Sequence, residues 1–503
     1  MASANELSPL SDGSNVIRFS VAGSPEAIDL LSEAAEQLGL AQRESGLRLE
    51  EQIGRVEEIE QRGAVLLGQL TTRFLDAGGH AEALQQIRIW EAVSLYLARL
   101  ASAYVQLLRL FQTYGKGWAA AGDRLPVVIA RALRTNGLRM KWMRLHYQPI
   151  APGIWQTFSQ LSAYIEDKGL MRSRVFVYDD LSTLQRELTK PLMFAMSAAD
   201  SLPLEEIDVA DRLISHLAGR FRFQRHPGRG CGFVLDVDRW TMPSRHRPGD
   251  EIRLGTRFFG PGDAIADLEM ISAQLAAGDI STADVNLDGV TDVEMAIGVM
   301  AHLERHWSVE RPERRSRRDD SSSSVAVTAG FAEIVRRVAG RDQDAAADEE
   351  TMEVWGLDNE SDAGIGALVP AEGRERPGVG GLVGMRSADS RSWAVGVIRR
   401  LAVHDAARRR VGIELLGRGV QAVELYDLGH GGRVATGLLL PSLAGESAGR
   451  EEVSVLLPGS TFSAEVAFEM RAFGKRYVLQ PLMVVEAGKD FELGRFHIND
   501  RVG

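Results

Sequence analysis

One charged, serine-rich stretch divides the sequence into two parts with different apolar patterns, and this division limits the folds that the chain can adopt. The stretch covers residues 308–324, reads SVERPERRSRRDDSSSS, and lacks the apolar period of a helix or strand. Before it, apolar residues recur at helical spacing, as in VSLYLARLASAYVQLLRLF. After it, short β-branched runs such as SVAVTAG, IGALV and EVSVLLPG are separated by glycines. The sequence therefore predicts a multidomain α + β protein, in which an N-terminal all-helical region is followed by a C-terminal region of short strands that form a sandwich or a barrel.

We expect four segments along the chain. Residues 1–23 form a disordered N-terminus, and residues 24–307 form a mainly helical domain, for which a split into two subdomains near residue 170 is an alternative. Residues 308–324 are an Arg- and Ser-rich linker, and residues 325–503 form the β domain, a sandwich or barrel with a C-terminal β extension. A short strand, GCGFVLDVD, is expected inside the helical domain, and one helix, FAEIVRRVAG, after the first barrel strand. The acidic stretch RDQDAAADEE beyond that helix is predicted to be a solvated loop.

The composition and charge exclude several classes of protein. The 503 residues carry a formal net charge of -11, which argues against a chain-wide nucleic-acid surface, because phosphate binding depends on Lys and Arg. Cys231 is the single cysteine, so one chain can build neither a disulfide framework nor a Cys-rich zinc site. The start of the chain lacks the pattern of a signal peptide, and no stretch is apolar for the length of a membrane helix. We therefore expect a cytoplasmic protein that neither inserts into a membrane nor binds nucleic acid.

Two short patterns resemble metal sites but are incomplete. HLERH places His302 and His306 four residues apart on a helix, and no third ligand lies at a complementary spacing. DVNLDGVTDVEM begins like a calcium loop, but its twelfth position is Met295, where a bidentate Glu is needed. We expect a partly exposed helix end for the first pattern and a helix entry capped by Asp or Asn for the second. The sequence therefore predicts no metal site.

No catalytic arrangement can be identified in the sequence. Cys231 stands in RGCGFV, where Arg229 occupies the first glycine position of a nucleophile elbow, so we expect a small strand residue there. The chain has neither a phosphate loop of the GxxxxGK[ST] type nor a complete GxGxxG fingerprint. The sequence therefore predicts neither enzyme activity nor a cofactor.

An arginine cluster lies directly before the first predicted barrel strand. It reads RPERRSRR and contains Arg311, Arg314, Arg315, Arg317 and Arg318. Guanidinium groups offer planar, bidentate donors that suit phosphate oxygens and the O6/N7 edge of guanine. The alternative interpretation is a solvated basic linker.

A second polar pattern lies in LDNESDAGIGALV, residues 357–369. Asn359, Ser361 and Gly364 form N-x-S-x-x-G. In an extended backbone Asn359 and Ser361 point to the same face, so an amide and a hydroxyl could converge on one polar ligand. Gly364 would let that ligand or another backbone come close. The alternative interpretation is a turn rich in Asn, Asp and Gly.

Together, R-x-x-x-R before a β-barrel and [DN]-x-S-x-x-G on an early strand resemble the PilZ domain, a family of receptors for the bacterial messenger cyclic di-GMP. The resemblance covers about residues 311–428, and the strands SWAVGVIRRLAV and RRVGIELLG look like the central barrel strands of the family. It implies a PilZ-like antiparallel barrel with cyclic di-GMP as its ligand. The residues that it assigns to ligand binding are Arg311, Arg314, Arg315, Arg318, Asn359, Ser361 and Gly364.

The resemblance also implies a division of roles within the site. Arg314 and Arg318, as the R-x-x-x-R pair, would grip the phosphates and guanine rings, while the Asn, Ser and Gly strand would contact the other face of the ligand. On this interpretation the strand is interrupted because a ligand, not another strand, is its partner there. A second R-x-x-x-R, Arg337 to Arg341, competes for the role of the first pair. Both arginines are assigned to a predicted helix, on which we expect their side chains to be solvated.

Upstream, the sequence is similar to the helical region of larger proteobacterial proteins that end in a PilZ-like barrel, some of which are linked to surface attachment and pili. The resemblance implies a non-catalytic cyclic di-GMP receptor. Its helical domain would couple binding at the linker–barrel junction to an unidentified protein partner that controls motility, pili or surface attachment. One alternative is a constitutive scaffold whose degenerate barrel binds no ligand. Another is a hydrolase in the helical half, with carboxylates that the sequence does not identify.

Overall fold

The structure is a computed structural model, and its described residues form parts of two compact units, residues 1–122 and 123–503. The residues that it describes are 24–43, 47–76, 80–114, 124–178, 180–308, 319–320, 323–340, 352–371, 378–387, 390, 392–428, 432–441, 452–472 and 474–500. The expected disordered N-terminus and the acidic stretch RDQDAAADEE lie outside these ranges. Most of the Arg- and Ser-rich linker does so too.

Three long helices build the described part of the first unit. They are Ser24–Ala41 (α1), Leu49–Leu75 (α2) and His80–Tyr114 (α3), and α1 packs against both of the others. Gly63 allows a close approach of α2 and α3, because a Cβ at this position would lie 2.1 Å from the Tyr96 hydroxyl oxygen. The helical spacing of apolar residues predicts these elements correctly.

The second unit begins with further helices and a few short strands. The helices are Leu125–Leu145 (α4), Pro152–Asp167 (α5), Leu184–Ala195 (α6), Leu204–His216 (α7), Ala264–Ala277 (α8) and Val293–Trp307 (α9). The strands are Arg174–Val177 (β1) and Asp180–Thr183 (β2), which form a hairpin, and Arg222–Gln224 (β3), Phe233–Asp236 (β4), Ser244–Arg245 (β5) and Thr256–Gly260 (β6), which form a sheet in the order β3-β6-β4-β5. The strand predicted at GCGFVLDVD is β4. Within the described ranges, every helix is too short or too polar to span a lipid bilayer.

Buried ion pairs hold α4 against its neighbours. The Lys141 ammonium lies 2.6 Å from Asp208 Oδ1 on α7. Arg134 donates two hydrogen bonds of 3.0 Å to Glu187 on α6, whose side chain is fully buried. Burial opposes ionisation of Glu187, but Arg134 and Lys190 outweigh it and lower the pKa of this carboxyl to about 2. These pairs fix the position of the helix in the second unit.

A first β-barrel follows the helices. After the short strand Asp319–Asp320 (β7), its strands are Ser324–Ala329 (β8), Glu353–Ser361 (β9), Gly364–Pro370 (β10), Leu382–Ser387 (β11), Ala394–Val403 (β12) and Arg408–Arg418 (β13). Antiparallel pairings join β8-β9-β10-β13-β12-β11 and return from β11 to β8, so the ring closes. The helix Phe331–Ala339 (α10) follows β8, as the sequence predicts.

A second six-stranded antiparallel barrel follows the first. Its strands are Gln421–Asp427 (β14), Arg433–Leu440 (β15), Glu452–Pro458 (β16), Phe468–Ala472 (β17), Lys475–Ala487 (β18) and Phe491–Asp500 (β19). They close in the order β14-β15-β16-β19-β18-β17. The expected C-terminal β extension is therefore a barrel of its own, and the sequence prediction did not include β14, β17 and β19. The predicted fold class, a helical region followed by an antiparallel barrel, is confirmed.

The two barrels share an apolar cluster with α10. On β16, Val455 and Leu457 belong to the cluster inside the second barrel, whereas Leu456 belongs to the shared cluster. Ile334 of α10 and Val397 of β12 are in the same shared cluster, and both are fully buried. This alternation follows from the two-residue period of a strand, which sends successive side chains to opposite faces.

Two contacts join the first barrel to the helical residues of the second unit. The Val403 N–H of β12 donates to the Tyr147 carbonyl at 3.0 Å. Arg400 of β12 forms an ion pair with the buried Asp200. Independent folding of residues 308–503, which the change of pattern at the linker suggests, stays a prediction.

Candidate functional site

The polar stretch SDAG forms the turn of a β-hairpin. β9 ends at Ser361, β10 begins at Gly364, and these two residues are directly paired. The Ser361 hydroxyl donates to the Gly364 carbonyl at 3.1 Å. β9 pairs with β10 on one edge and with β7 and β8 on the other. The expectation that a ligand replaces a strand partner here is therefore wrong, because a two-residue turn interrupts the strand.

A bulge places Asn359 beside a glycine of β10. Asn359 pairs with Gly366, but Leu357 pairs with the next residue of β10, so Asp358 is the extra residue of the bulge. A Cβ at position 366 would lie 2.6 Å from the Asn359 Oδ1. The Asn359 Nδ2 also donates to Asp358 Oδ2 at 2.9 Å. Gly366 is thus required for the observed orientation of the Asn359 carboxamide.

Glycines leave the outer face of this sheet without side chains next to Asn359 and Ser361. On β10 the core residues Ile365, Ala367 and Val369 alternate with Gly364 and Gly366, which by the two-residue period lie on the opposite face. Across the sheet, Gly366 pairs with Gly412 of β13, and Gly412 pairs with Arg400 of β12. We call Gly364, Gly366 and Gly412 the glycine floor. Gly364 and Gly366 are buried, with the Asn359 carboxamide over Gly366, whereas Gly412 is partly exposed.

Two arginines of β13, the strand on the other side of β10 from β9, contact acidic residues of β9. Arg410 Nη2 donates to Asp358 Oδ1 at 3.3 Å. Arg418 Nη2 donates to Glu360 Oε1 at 2.7 Å. Both guanidinium groups are about half exposed. The sequence prediction did not include them, although RRRVGIELLGR places Arg410 and Arg418 at either end of one strand.

The chain reaches the hairpin directly after the arginine cluster. β7 begins one residue after Arg318, and Asp319 pairs with Glu360 while Asp320 pairs with Asn359. Arg311, Arg314, Arg315 and Arg318 themselves lie outside the described residues. Asp319, the first described residue after the cluster, therefore lies on a strand that pairs with the second motif.

The competing arginine pair has a different environment from the one expected. Arg337 lies on α10, but its side chain is only 6% exposed and its Nε lies 2.7 Å from Glu333 Oε1. The expectation that Arg337 is solvated is therefore wrong. An ion pair one helical turn away and packing of the helix against the barrels account for its burial. Arg341 lies outside the described residues.

The other candidate residues make hydrogen bonds within the protein, cap a helix or are buried. His302 Nε2 lies 2.7 Å from the Ser197 carbonyl, and burial lowers the pKa of the His302 imidazole. The Asp292 side chain caps α9 by accepting from the Met295 N–H at 2.9 Å, as predicted for this helix entry. Cys231 is buried just before β4, and burial raises the pKa of its thiol. In the described part of the chain, no three His, Cys, Asp or Glu side chains are grouped so that they could hold a metal ion.

Comparison with known protein families gives a match to the first part of the chain. Residues 16–228 match the family described as "Cyclic-di-GMP receptor FimW, N-terminal domain". The matched range includes the described helices α1 to α7 and ends before the two barrels. Comparison with curated proteins finds no match.

Proposed function

Because residues 16–228 match the family described as the N-terminal domain of a cyclic di-GMP receptor, we propose that this chain binds cyclic di-GMP through a PilZ-like first barrel. The family match supports cyclic di-GMP as the ligand, and residues of the first barrel support the proposed location of its binding site. The proposed site consists of the arginine cluster, Asn359, Ser361 and the glycine floor.

The pairing of β7 with β9 is the observation that carries this proposal. Arg318 is covalently joined to Asp319, and Asp319 is paired with Glu360 between Asn359 and Ser361. Because Arg318 directly precedes Asp319 in the sequence, we propose that the two motifs, about 40 residues apart in the chain, contribute to one ligand site.

The chemistry of the site fits a dianion that carries two guanines. Arginines provide bidentate donors for phosphate oxygens and for the guanine O6/N7 edge. The Asn359 amide and the Ser361 hydroxyl would provide short polar contacts. The carboxylates of Asp358 and Glu360 are each paired with an arginine, which reduces their repulsion of an anion.

We infer that the protein acts as a receptor and effector without catalysis of its own. A ligand that neutralises five crowded arginines would order their segment against the first barrel. The helical region would then transmit this change to a protein partner that controls motility, pili or surface attachment. The single, buried Cys231 fits a protein of the reducing cytoplasm.

Thermal melting with and without cyclic di-GMP tests the proposed function. A ligand that binds only the folded state stabilises it by about 2.7 kcal/mol when its concentration is 100 times its Kd. We expect the melting temperature to rise with cyclic di-GMP concentration and to stay constant with GMP at the same concentration. A wild-type protein whose melting temperature does not change with millimolar cyclic di-GMP would favour the constitutive scaffold instead.

A further inference from the structure

An open cleft between the helical residues of the second unit and the first barrel is unusually rich in arginine. Its volume is about 750 Å³, and its charged lining consists of Arg144, Arg245, Arg247, Arg305 and Arg400 with Asp200, Asp250 and His306. We call it the arginine cleft. Pockets for small organic ligands have volumes of about 300–1,000 Å³, so the cleft is large enough for a nucleotide-sized molecule.

Two of these arginines have evident structural roles. Arg400 forms an ion pair with Asp200, which joins β12 to the helical residues. Arg245 donates to the carbonyls of His306 at 2.7 Å and Ser308 at 2.6 Å, and thereby caps the C-terminal end of α9. The packing of the protein explains why these two guanidinium groups are present.

The remaining arginines lack a negative partner within the described ranges. None of Arg144, Arg247 and Arg305 has a carboxylate at ion-pair distance among the residues that the structure describes. Arg144 instead donates to the Gln148 carbonyl at 3.3 Å. Burial lowers the pKa of the Arg144 guanidinium, and the positive charge of Arg400 lowers it further against the opposing effect of Asp200. Five arginines against two aspartates leave the cleft with an excess of positive charge, which favours the entry of an anion.

We propose that the arginine cleft binds a phosphorylated small molecule at a site separate from the hairpin of the first barrel. Arg144, Arg247 and Arg305 would bind the phosphate oxygens, because a guanidinium group matches two oxygens of one phosphate. Met196, Met242 and Pro243 line the same cleft and provide an apolar wall for the rest of the ligand. The cleft includes residues from α4, α9 and β12, so occupancy would tie the helical residues to the first barrel.

Titration of the full chain with pyrophosphate tests the proposal. We expect saturable binding by isothermal titration calorimetry that weakens as the salt concentration rises. Arg305 occupies an exposed position of α9. Arg305→Gln should weaken pyrophosphate binding about tenfold, since it removes a charge-assisted hydrogen bond. The matched control is Arg476→Gln on β18, an exposed arginine of the second barrel, which should leave the affinity unchanged.

Asp200→Asn gives a result that a merely structural role of the arginines would not produce. The substitution removes the carboxylate that competes with a ligand for Arg400, so pyrophosphate should bind about threefold more tightly or better. Arg144→Gln should weaken binding as Arg305→Gln does, and a circular dichroism spectrum shows whether each variant is folded. Should Arg144→Gln fail to fold, Arg305→Gln and Asp200→Asn still decide the question.

Three outcomes would overturn the proposal. One is the absence of saturable pyrophosphate binding to the wild-type chain. Another is an unchanged affinity in both Arg305→Gln and Asp200→Asn. The third is a loss of cyclic di-GMP affinity in Arg305→Gln together with competition between pyrophosphate and cyclic di-GMP, because the cleft would then belong to the dinucleotide site. Failure of the proposed function is a separate result. In that case the wild-type chain would not bind cyclic di-GMP, and the pyrophosphate titration would still test the arginine cleft.

Discussion

The two barrels have the same number of strands and the same closed antiparallel pairing, but they use glycine differently. In the first barrel, Gly366 makes room for a polar side chain, since a Cβ there would meet Asn359 Oδ1 at 2.6 Å. In the second barrel, a Cβ at Gly494 would lie 2.6 Å from the Phe496 ring and 2.9 Å from the Phe462 ring. Gly366 therefore admits a polar group on the outer face of the first barrel, and Gly494 admits aromatic rings in the second.

This difference shows why a barrel fold alone does not indicate a binding site. The second barrel is filled by an apolar cluster that includes Phe468, Met470 and Phe496, each at most 1% exposed. The first barrel has a comparable interior, but it adds the glycine floor, the bulge at Asp358 and the strand β7 that follows the arginine cluster. Ligand chemistry depends on these additions and not on the ring of strands that both barrels share.

The largest effect is expected for truncation of the second barrel's interior. Phe496→Ala should lower the free energy of unfolding by about 3–5 kcal/mol, because it removes a fully buried ring and leaves a cavity. Urea denaturation followed by circular dichroism measures this loss. The cyclic di-GMP affinity of the folded fraction should stay the same. A lower affinity per folded molecule would show that the second barrel also takes part in binding.

The next largest effect is expected for the arginine cluster. Arg314→Ala and Arg318→Ala should each weaken cyclic di-GMP binding by about 1.5–3 kcal/mol, the contribution of a charge-assisted hydrogen bond. Arg341→Ala, from the competing pair, should leave the affinity unchanged. Titration calorimetry on the three variants makes the comparison. If Arg341→Ala abolished binding while Arg314→Ala did not, the assignment of the first motif would be wrong.

A smaller effect is expected for the glycine floor. Gly366→Ala forces the Asn359 carboxamide to move, and overpacking of this kind costs about 1–3 kcal/mol of stability. We also expect weaker cyclic di-GMP binding, because the amide loses its orientation. Gly356→Ala is the matched control on β9, since a Cβ there has no heavy atom within 4 Å. Equal cyclic di-GMP affinities of Gly366→Ala and Gly356→Ala would show that Asn359 does not contact the ligand.

The smallest effect is expected for Ser361. Ser361→Ala removes the hydrogen bond to the Gly364 carbonyl, which contributes about 0.5–1.5 kcal/mol to stability. The hydroxyl oxygen can accept a second hydrogen bond from a ligand while it donates this one. Melting curves with and without cyclic di-GMP distinguish the two roles. A variant that melts lower but shows the wild-type ligand-induced shift would restrict Ser361 to shaping the turn.

The sequence predicts the elements of this protein better than it predicts their partners. The helical period identifies the helices, and the β-branched runs identify most strands, because both patterns are local. Strands such as β14, with the sequence QAVELYD, and β19, with FELGRFHIND, are missed because polar residues on their outer faces break the apolar runs. Their closure into a second barrel depends on pairings between residues far apart in the chain.

The candidate site shows the same limit. N-x-S-x-x-G is visible in the sequence, but the sequence alone favours neither the turn nor the ligand interpretation. Arg400 and Asp200 are 200 residues apart, so no local pattern indicates their ion pair. The burial of Arg337 is likewise a product of tertiary packing around α10, whereas its position on a helix suggests solvation.

Titration calorimetry of the full chain with cyclic di-GMP tests the central claim most directly, with wild type and the Arg314→Ala/Arg318→Ala double variant compared at one salt concentration. The account predicts saturable binding to the wild type and an affinity at least about 100-fold lower in the double variant, since two charge-assisted hydrogen bonds are lost. Equal affinities in the two proteins, or no saturable binding to the wild type, would contradict it.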